Sequence, residues 1–232
     1  MTDEFGSYAR RYPEIINLTS AITGEKYEFF IRFRVSLMKR KLTGNGAHTG
    51  INRILDFGCG IGAAGKILED AFPQAAILGV DSSEKSVIEA NHQGLSRSDF
   101  ICSEGEALPL ADASVDLVYS NGVVHHTPLE RRGAVLRELF RVVRPKGQVF
   151  IFENNPANPL MMRAMAKSPL DSDAQPITPK ELSRLFENCG FRIARSGYYF
   201  LFPHCLRFLR WGEPLFEQLP LGAQYFVWGV RV

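Results

Sequence analysis

The chain has 232 residues, 45% of them hydrophobic, enough to bury a sizeable core without disulfide or metal staples. With 27 Lys and Arg against 25 Asp and Glu, its formal charge of +2 argues against a nucleic-acid partner. Cys59, Cys102, Cys189 and Cys205 show no C-x-x-C spacing, no apolar run is long enough to span a bilayer, and the first residues lack a cationic and apolar leader, so a soluble, cytoplasmic protein with reduced thiols is expected.

In chain order, residues 1–50 read as an N-terminal helical cap and linker, and residues 51–232 as the main domain. Within the cap, Phe30, Phe33, Leu37 and Met38 mark an amphipathic helix. Its Arg32, Arg34, Lys39, Arg40 and Lys41 read first as a solvated face, with a face towards an anionic group as the alternative. Tyr8 and Tyr12, at i and i+4, are candidates for a lid over a bound cofactor, and Tyr12 is counted with the cofactor site. The glycine-rich Thr43 to Gly50 reads as a flexible connection.

The segment Ile54-Leu-Asp56-Phe-Gly58-Cys-Gly60-Ile-Gly62 runs an apolar strand into an acid and alternating glycines. Such glycines let the backbone turn sharply into a helix and let a ligand approach main chain that a Cβ would block. Asp81 ends the next apolar run, Ala76 to Val80, where a carboxylate can accept both hydroxyls of a ribose. Gly60, Gly62 and Gly65 also satisfy G-x-G-x-x-G, so a dinucleotide fold is the rival reading. Asp56 argues against it: an acid inside the strand end repels a pyrophosphate but can meet a cationic amino group. Glu104, just beyond a third strand, is suited to accept from an adenine amine, with the Gly105 amide donating to the ring. Leu108-Pro-Leu-Ala-Asp112-Ala-Ser-Val-Asp116 then leads into a fourth strand ending at Asn121.

Farther on, Val135, Leu136, Leu139, Phe140 and Val143 recur at helical spacing, Arg144-Pro-Lys-Gly147 breaks that helix, and Gln148 to Glu153 reads as the fifth strand. The polar Glu153 to Pro159 leaves the carboxyl end of that strand, where open α/β sheets bind ligands. Leu160, Met161, Met162 and Met165 follow as an adaptable apolar surface. Thr178-Pro-Lys-Glu181 announces a capped helix that closes at Gly190. The stretch Tyr198 to Trp211, rich in aromatics, reads first as core packing, with an acceptor pocket, membrane contact or dimer face as alternatives. Strand and helix patterns alternate throughout, which predicts an α/β fold with a parallel sheet covered on both faces.

From about Arg53 to Glu153 the chain resembles the class I S-adenosylmethionine-dependent methyltransferases, in particular the type 11-like group sharing the LP…D.S.D signature. The resemblance implies a Rossmann-like, doubly wound, seven-stranded sheet, mostly parallel with an antiparallel last strand. Phe191 to Ser196 and Gln224 to Val230 would form its closing hairpin. It further implies that Asp56, Gly58 and Gly60 surround the methionine part of S-adenosyl-L-methionine. Asp81 would take the ribose with Ser82 beside it, Glu104 and Gly105 would read the adenine, and Asn121 would line the floor. One departure is that the family's usual Gly-Asp-Ala at the adenine site reads Ser103-Glu104-Gly105 here.

A sulfonium is already an activated methyl donor, so such an enzyme mainly aligns a nucleophile and excludes water. Where the acceptor is a hydroxyl or amine a base helps, and His126, just after the fourth strand, is the first candidate. Glu153 is the second, the two being expected to flank the acceptor together. No compact carboxylate set is visible, so no metal site is expected. The reading is therefore a methyltransferase acting on a small-molecule acceptor such as a sugar, glycolipid or secondary metabolite, as a monomer or homodimer with little membrane contact. An NAD-dependent oxidoreductase or a catalytically silent cofactor-binding scaffold is the alternative.

Overall fold

The computed structural model describes residues 15, 24–44, 46 and 50–232; Tyr8 and Tyr12 lie outside the described residues. Seven strands form one sheet: β1 (Arg53–Phe57), β2 (Ala76–Asp81), β3 (Ser98–Cys102), β4 (Val115–Asn121), β5 (Val143–Asn154), β6 (Phe191–Tyr199) and β7 (Gln224–Arg231). Their order is β3-β2-β1-β4-β5-β7-β6, with β1 to β5 paired in parallel and β7 antiparallel to both β5 and β6. This is the mostly parallel, doubly wound sheet expected from the sequence.

Among the described residues the α-helices that accompany it are α1 (Tyr27–Gly44), α2 (Gly65–Ala71), α3 (Glu84–Asn91), α4 (Leu129–Val142), α5 (Pro159–Met165) and α6 (Pro179–Asn188). Alternate strand residues face opposite layers, so Ile54, Leu117, Phe150 and Trp228 pack with Ile31, Met38 and Leu42 of α1 and Leu68 of α2. Their neighbours Leu55, Val118, Ile151 and Val227 pack against Leu136 and Leu139 of α4 and Leu182 and Phe186 of α6. Two-sided burial explains why these strands read as nearly continuous apolar runs. Helix α6 starts as its sequence demands: the Thr178 side chain accepts from Glu181 N, and the Glu181 carboxylate accepts from Thr178 N at 2.8 Å.

Three expectations change. Helix α4 stops at Val142, and Arg144 to Gly147 lie inside β5 rather than before it. Val143 pairs with Val115 and Gln148 with Leu117, so the intervening residues, with Lys146 at φ +66°, form an irregularity in the strand. Arg34 is not on a solvated face: it is 4% exposed, within the buried side of α1. The aromatic stretch divides, with Tyr198 and Tyr199 extending β6, while Phe208 and Trp211 stand in solvent on a 3₁₀ segment, His204–Phe216. Among the described residues, no helix is long and apolar enough to cross a membrane.

Candidate active site

A cavity of about 380 Å³ opens at the carboxyl ends of β1, β2 and β4. A smaller hollow adjoins it, the two sharing Gly58, Gly60, Ile61 and Asn121 as their common wall. The wall exists because the chain turns tightly after β1. Gly58 takes φ +74°, and a Cβ there would lie 2.1 Å from Val123 Cγ2; its N–H and that of Cys59 both donate to Val80 O. Gly60 takes φ +51°, and the space its Cβ would occupy is empty, so a ligand can reach bare main chain.

Asp81 closes that loop from below. Its Oδ2 accepts from Gly60 N at 2.8 Å and its Oδ1 from Ser83 N at 2.9 Å, while both it and Ser82 line the larger cavity. Glu104 and Gly105 lie on the same wall. Arg131 stands at the rim, pairing with Glu106 and reaching Glu104 Oε2 at 3.3 Å. Asn121 faces both hollows.

Asp56 borders the smaller hollow, 2% exposed, and its Oδ2 accepts no hydrogen bond among the described residues. Burial, reinforced by the neighbouring Asp81 charge, pushes its carboxyl up to about 7. A buried acceptor without a donor is expensive, and a cationic group or a proton would relieve it. Tyr27 and Ile31 of α1, with Tyr119 of β4, close the hollow. Those α1 residues carried no motif; a helix packed over strand ends was the only available hint.

The other side is organised differently. The 3₁₀ turn Val124–His126 follows β4, and the Glu153 carboxylate beneath it accepts from Val124 N at 2.7 Å and pairs with His125 Nδ1. His125 Nε2 in turn lies 3.4 Å from Asp171 Oδ1. Gln175 N donates to His125 O at 2.7 Å, and Arg132 bridges Thr127 O and Gln175 O, which brings residues 171–175 against the histidines. Burial disfavours charge on His125, but Glu153 and Asp171 outweigh it and hold its pKa above the ordinary histidine value. Burial likewise raises Glu153, and the His125 charge and hydrogen bonds outweigh that, holding the carboxyl low.

Glu153 therefore does not meet His126 at the acceptor, as the sequence suggested; it is 2% exposed and engaged with His125. His126 is the histidine on the cavity wall, beside Asp173, whose Oδ1 lies 3.2 Å from its Nδ1. Burial, then the His125 charge, lowers its pKa against the pull of Asp171 and Asp173, favouring the neutral imidazole that can accept a proton. Ligand atoms of His125, His126 and Asp171 lie within 4.8 Å of one another, a grouping that could hold a metal ion, although protein partners already satisfy His125.

Residues 55–151 match the profile of the family described as Methyltransferase domain. Over these residues the chain is similar to the class I S-adenosylmethionine-dependent methyltransferases. Among curated proteins, it is 36% identical over 99 residues to the malonyl-[acyl-carrier protein] O-methyltransferase of Methylococcus capsulatus, covering 42% of this chain and 35% of that protein. It is 34% identical over 98 residues to the trans-aconitate 2-methyltransferase of Azoarcus sp., covering 42% and 37% respectively. The matches thus span little more than a third of the length of these relatives. A SAM-dependent methyltransferase from Archaeoglobus fulgidus shares the fold of this chain, with a TM-score of 0.64 over 88% of this chain and all of that one, at 19% identity.

The residues present fit the donor of this class. The orphaned Asp56 Oδ2 suits its ammonium, the open main chain at Gly60 suits a closely packed thioether or sulfonium, and the cavity by Asp81 and Glu104 suits an adenosine.

Proposed function

We propose that the protein transfers a methyl group from S-adenosyl-L-methionine to a small-molecule acceptor and releases S-adenosylhomocysteine. The observation that carries this reading is the buried Oδ2 of Asp56, without a hydrogen-bond partner among the described residues, beside a glycine-walled cavity. The same carboxylate opposes the oxidoreductase alternative, because it would face the pyrophosphate of a dinucleotide. The trans-aconitate enzyme named above supports an acceptor of metabolite size, while the malonyl-[acyl-carrier protein] enzyme is named for an acyl group carried on a protein.

The bound donor supplies an electrophilic methyl group. In this proposal Asp56 holds the donor's ammonium, Asp81 the ribose hydroxyls with Ser82 alongside, Glu104 and Gly105 the adenine, and Asn121 the floor near the sulfur. His126 faces the acceptor and takes its proton where it has one to lose. Glu153 acts through others: it clamps the turn by Val124 N and fixes His125, which sets His126 in place. Water exclusion and alignment provide most of the rate, of order 7 kcal/mol.

Calorimetry with S-adenosylhomocysteine and NAD in parallel tests the cofactor; binding of NAD alone would end the reading. Turnover is then read as S-adenosylhomocysteine release across candidate acceptors, where complete silence would favour a scaffold. With an active acceptor, His126→Ala should lower kcat by about 100-fold with the cofactor Kd unchanged. Full kcat from pH 6 to 9 in that variant would remove the base role and leave alignment alone.

A further inference from the structure

The segment that joins β6 to β7 is amphipathic in the reverse of the usual sense. Arg210, Glu213 and Glu217, spaced i, i+3 and i+7, turn inward. Arg210 Nη1 donates to Glu25 Oε1 at 2.7 Å, Glu213 Oε1 accepts from Phe202 N at 3.0 Å, and Glu217 accepts from Lys41 Nζ at 2.5 Å and Arg195 Nε at 2.6 Å. Phe208, Trp211 and Leu215 repeat that spacing two residues earlier and stand outward, 66%, 81% and 79% exposed. An ordinary surface element turns its apolar stripe to the core. Here the polar side chains anchor the segment to the body, so the apolar face is held in solvent by specific bonds.

Leu219 and Leu221 extend the face, and Leu221 O accepts from Asn158 Nδ2 at 2.9 Å, which sets the start of α5 and its exposed Leu160 beside the end of the segment. Exposed apolar side chains gathered in this way mark an interaction surface. The polar groups among them decide its partner. From Leu206 to Leu221 the exposed polar side chains are Arg207 and Gln218, and both acids, Glu213 and Glu217, are buried. Arg163, one turn beyond Leu160 on α5, is exposed as well. The face therefore presents cations and no carboxylate. A protein partner is met through a polar rim with about one hydrogen bond per 100–200 Å², which two polar side chains supply poorly. A lipid surface asks for the groups found here, with Trp, Phe and Leu at the acyl boundary and arginines reaching back to phosphate.

We propose that residues 206–221 form a docking surface for an anionic phospholipid bilayer. Phe208, Trp211 and Leu215 enter the boundary between headgroups and acyl chains, and Arg207 and Arg163 meet the lipid phosphates. Because β6 ends and β7 begins beside the carboxyl end of β5, the bilayer lies along that edge of the sheet. The proposal is independent of the methyltransferase reading.

The test uses the full chain with vesicles of phosphatidylglycerol and phosphatidylcholine, and with vesicles of phosphatidylcholine alone. The chain has two tryptophans, and Trp228 is buried in the sheet, so a change in emission on adding vesicles reports Trp211. Emission should move to the blue and the protein should float with the mixed vesicles. Phe208→Ser/Leu215→Ser, which keeps both tryptophans, should weaken vesicle binding by about tenfold or more. Arg163→Gln/Arg207→Gln, which leaves the apolar face intact, should weaken it by roughly 30-fold. Any of four results overturns the proposal: no shift or flotation with the mixed vesicles, equal binding to phosphatidylcholine alone, undiminished binding in both variants, or Trp211 emission that is blue without lipid and reddens on dilution. The last would give the face to a second copy of the chain.

Discussion

The two halves of the site treat their polar groups in opposite ways. On the side of β1 and β2, the loop is self-supporting and a key group is left without a partner: Asp81 braces Gly60 and Ser83, while Asp56 keeps a buried oxygen unused. On the side of β4 and β5, Glu153, His125 and Asp171 saturate one another, and His126 alone of these reaches the wall. An unsatisfied buried acceptor costs stability until a ligand arrives, whereas a saturated network fixes geometry whether a ligand is present or not. On the proposed function, the first half is a binding device and the second a positioning device.

If that distinction holds, Glu153→Gln should be the most damaging single change to the fold. It keeps the shape but removes the charge opposite His125, and breaking a buried pair costs about 3 kcal/mol or more. Thermal unfolding should then start roughly 6–12 °C lower for a chain of this size. S-adenosylhomocysteine affinity, measured well below the new transition, should change little. A large loss of affinity with an unaltered melting temperature would exchange the roles of the two halves.

Asp56→Asn should do the reverse. Cofactor affinity should fall by about 100-fold, as expected when a charge-assisted bond in a closed site is lost. The sign of the stability effect follows from the raised carboxyl: its native pKa of about 7 exceeds the ordinary aspartate value, so the native state holds the proton more tightly. Stability from this group is present below the unfolded pKa and is lost as pH rises to about 7. The ligand-free Asn variant should therefore melt above the wild type at pH 8 and close to it at pH 4. Wild-type affinity for S-adenosylhomocysteine should also climb as pH rises through about 7, a trend that the variant should lack. A flat wild-type profile would show that Asp56 is charged in the empty site.

The same contrast explains what the sequence disclosed. Asp56, Gly58, Gly60 and Asp81 lie on a turn and two strand ends close in sequence, so their spacing encodes the local backbone geometry, while the ligand they would serve came from the resemblance. Glu104 and Gly105 follow the strand next to β2, and their place on the same cavity wall was legible in the same way. Arg34, Asp171 and Asp173 have no such local signature. Arg34 meets its partners across 165 and 190 positions, and Asp173 meets His126 across 47. A charged residue on an amphipathic helix reads as solvated by default, and only the packing of α1 over β6 and β7 reverses that. Glu153 was correctly placed at a strand end but wrongly aimed, because period-two alternation does not reveal which turn closes over a strand.

Asp81→Ala should have an intermediate effect, about 2 kcal/mol or roughly 30-fold in affinity. The loss has two sources, the ribose hydroxyls of the proposed complex and the N–H groups of Gly60 and Ser83 that Asp81 now holds. Asp81→Asn separates them, since its single carbonyl oxygen can brace one N–H or accept one hydroxyl. An Ala variant with wild-type affinity would remove Asp81 from the ribose site.

The smallest effect is expected at Glu104. Its side chain is 59% exposed and its contact with Arg131 is long at 3.3 Å, so solvent screens whatever the pair contributes. Arg131 keeps Glu106 as its main partner when Glu104 changes. What remains is one acceptor oxygen for the adenine amine, and an amide oxygen supplies that as well as a carboxylate does. Glu104→Gln should accordingly change S-adenosylhomocysteine affinity by less than about threefold, while Glu104→Leu, which has no acceptor, should cost about tenfold. Equal losses in the two variants would mean that charge rather than hydrogen bonding matters at the adenine edge. The binding half would then extend its electrostatics to an open rim, where water ought to erase them.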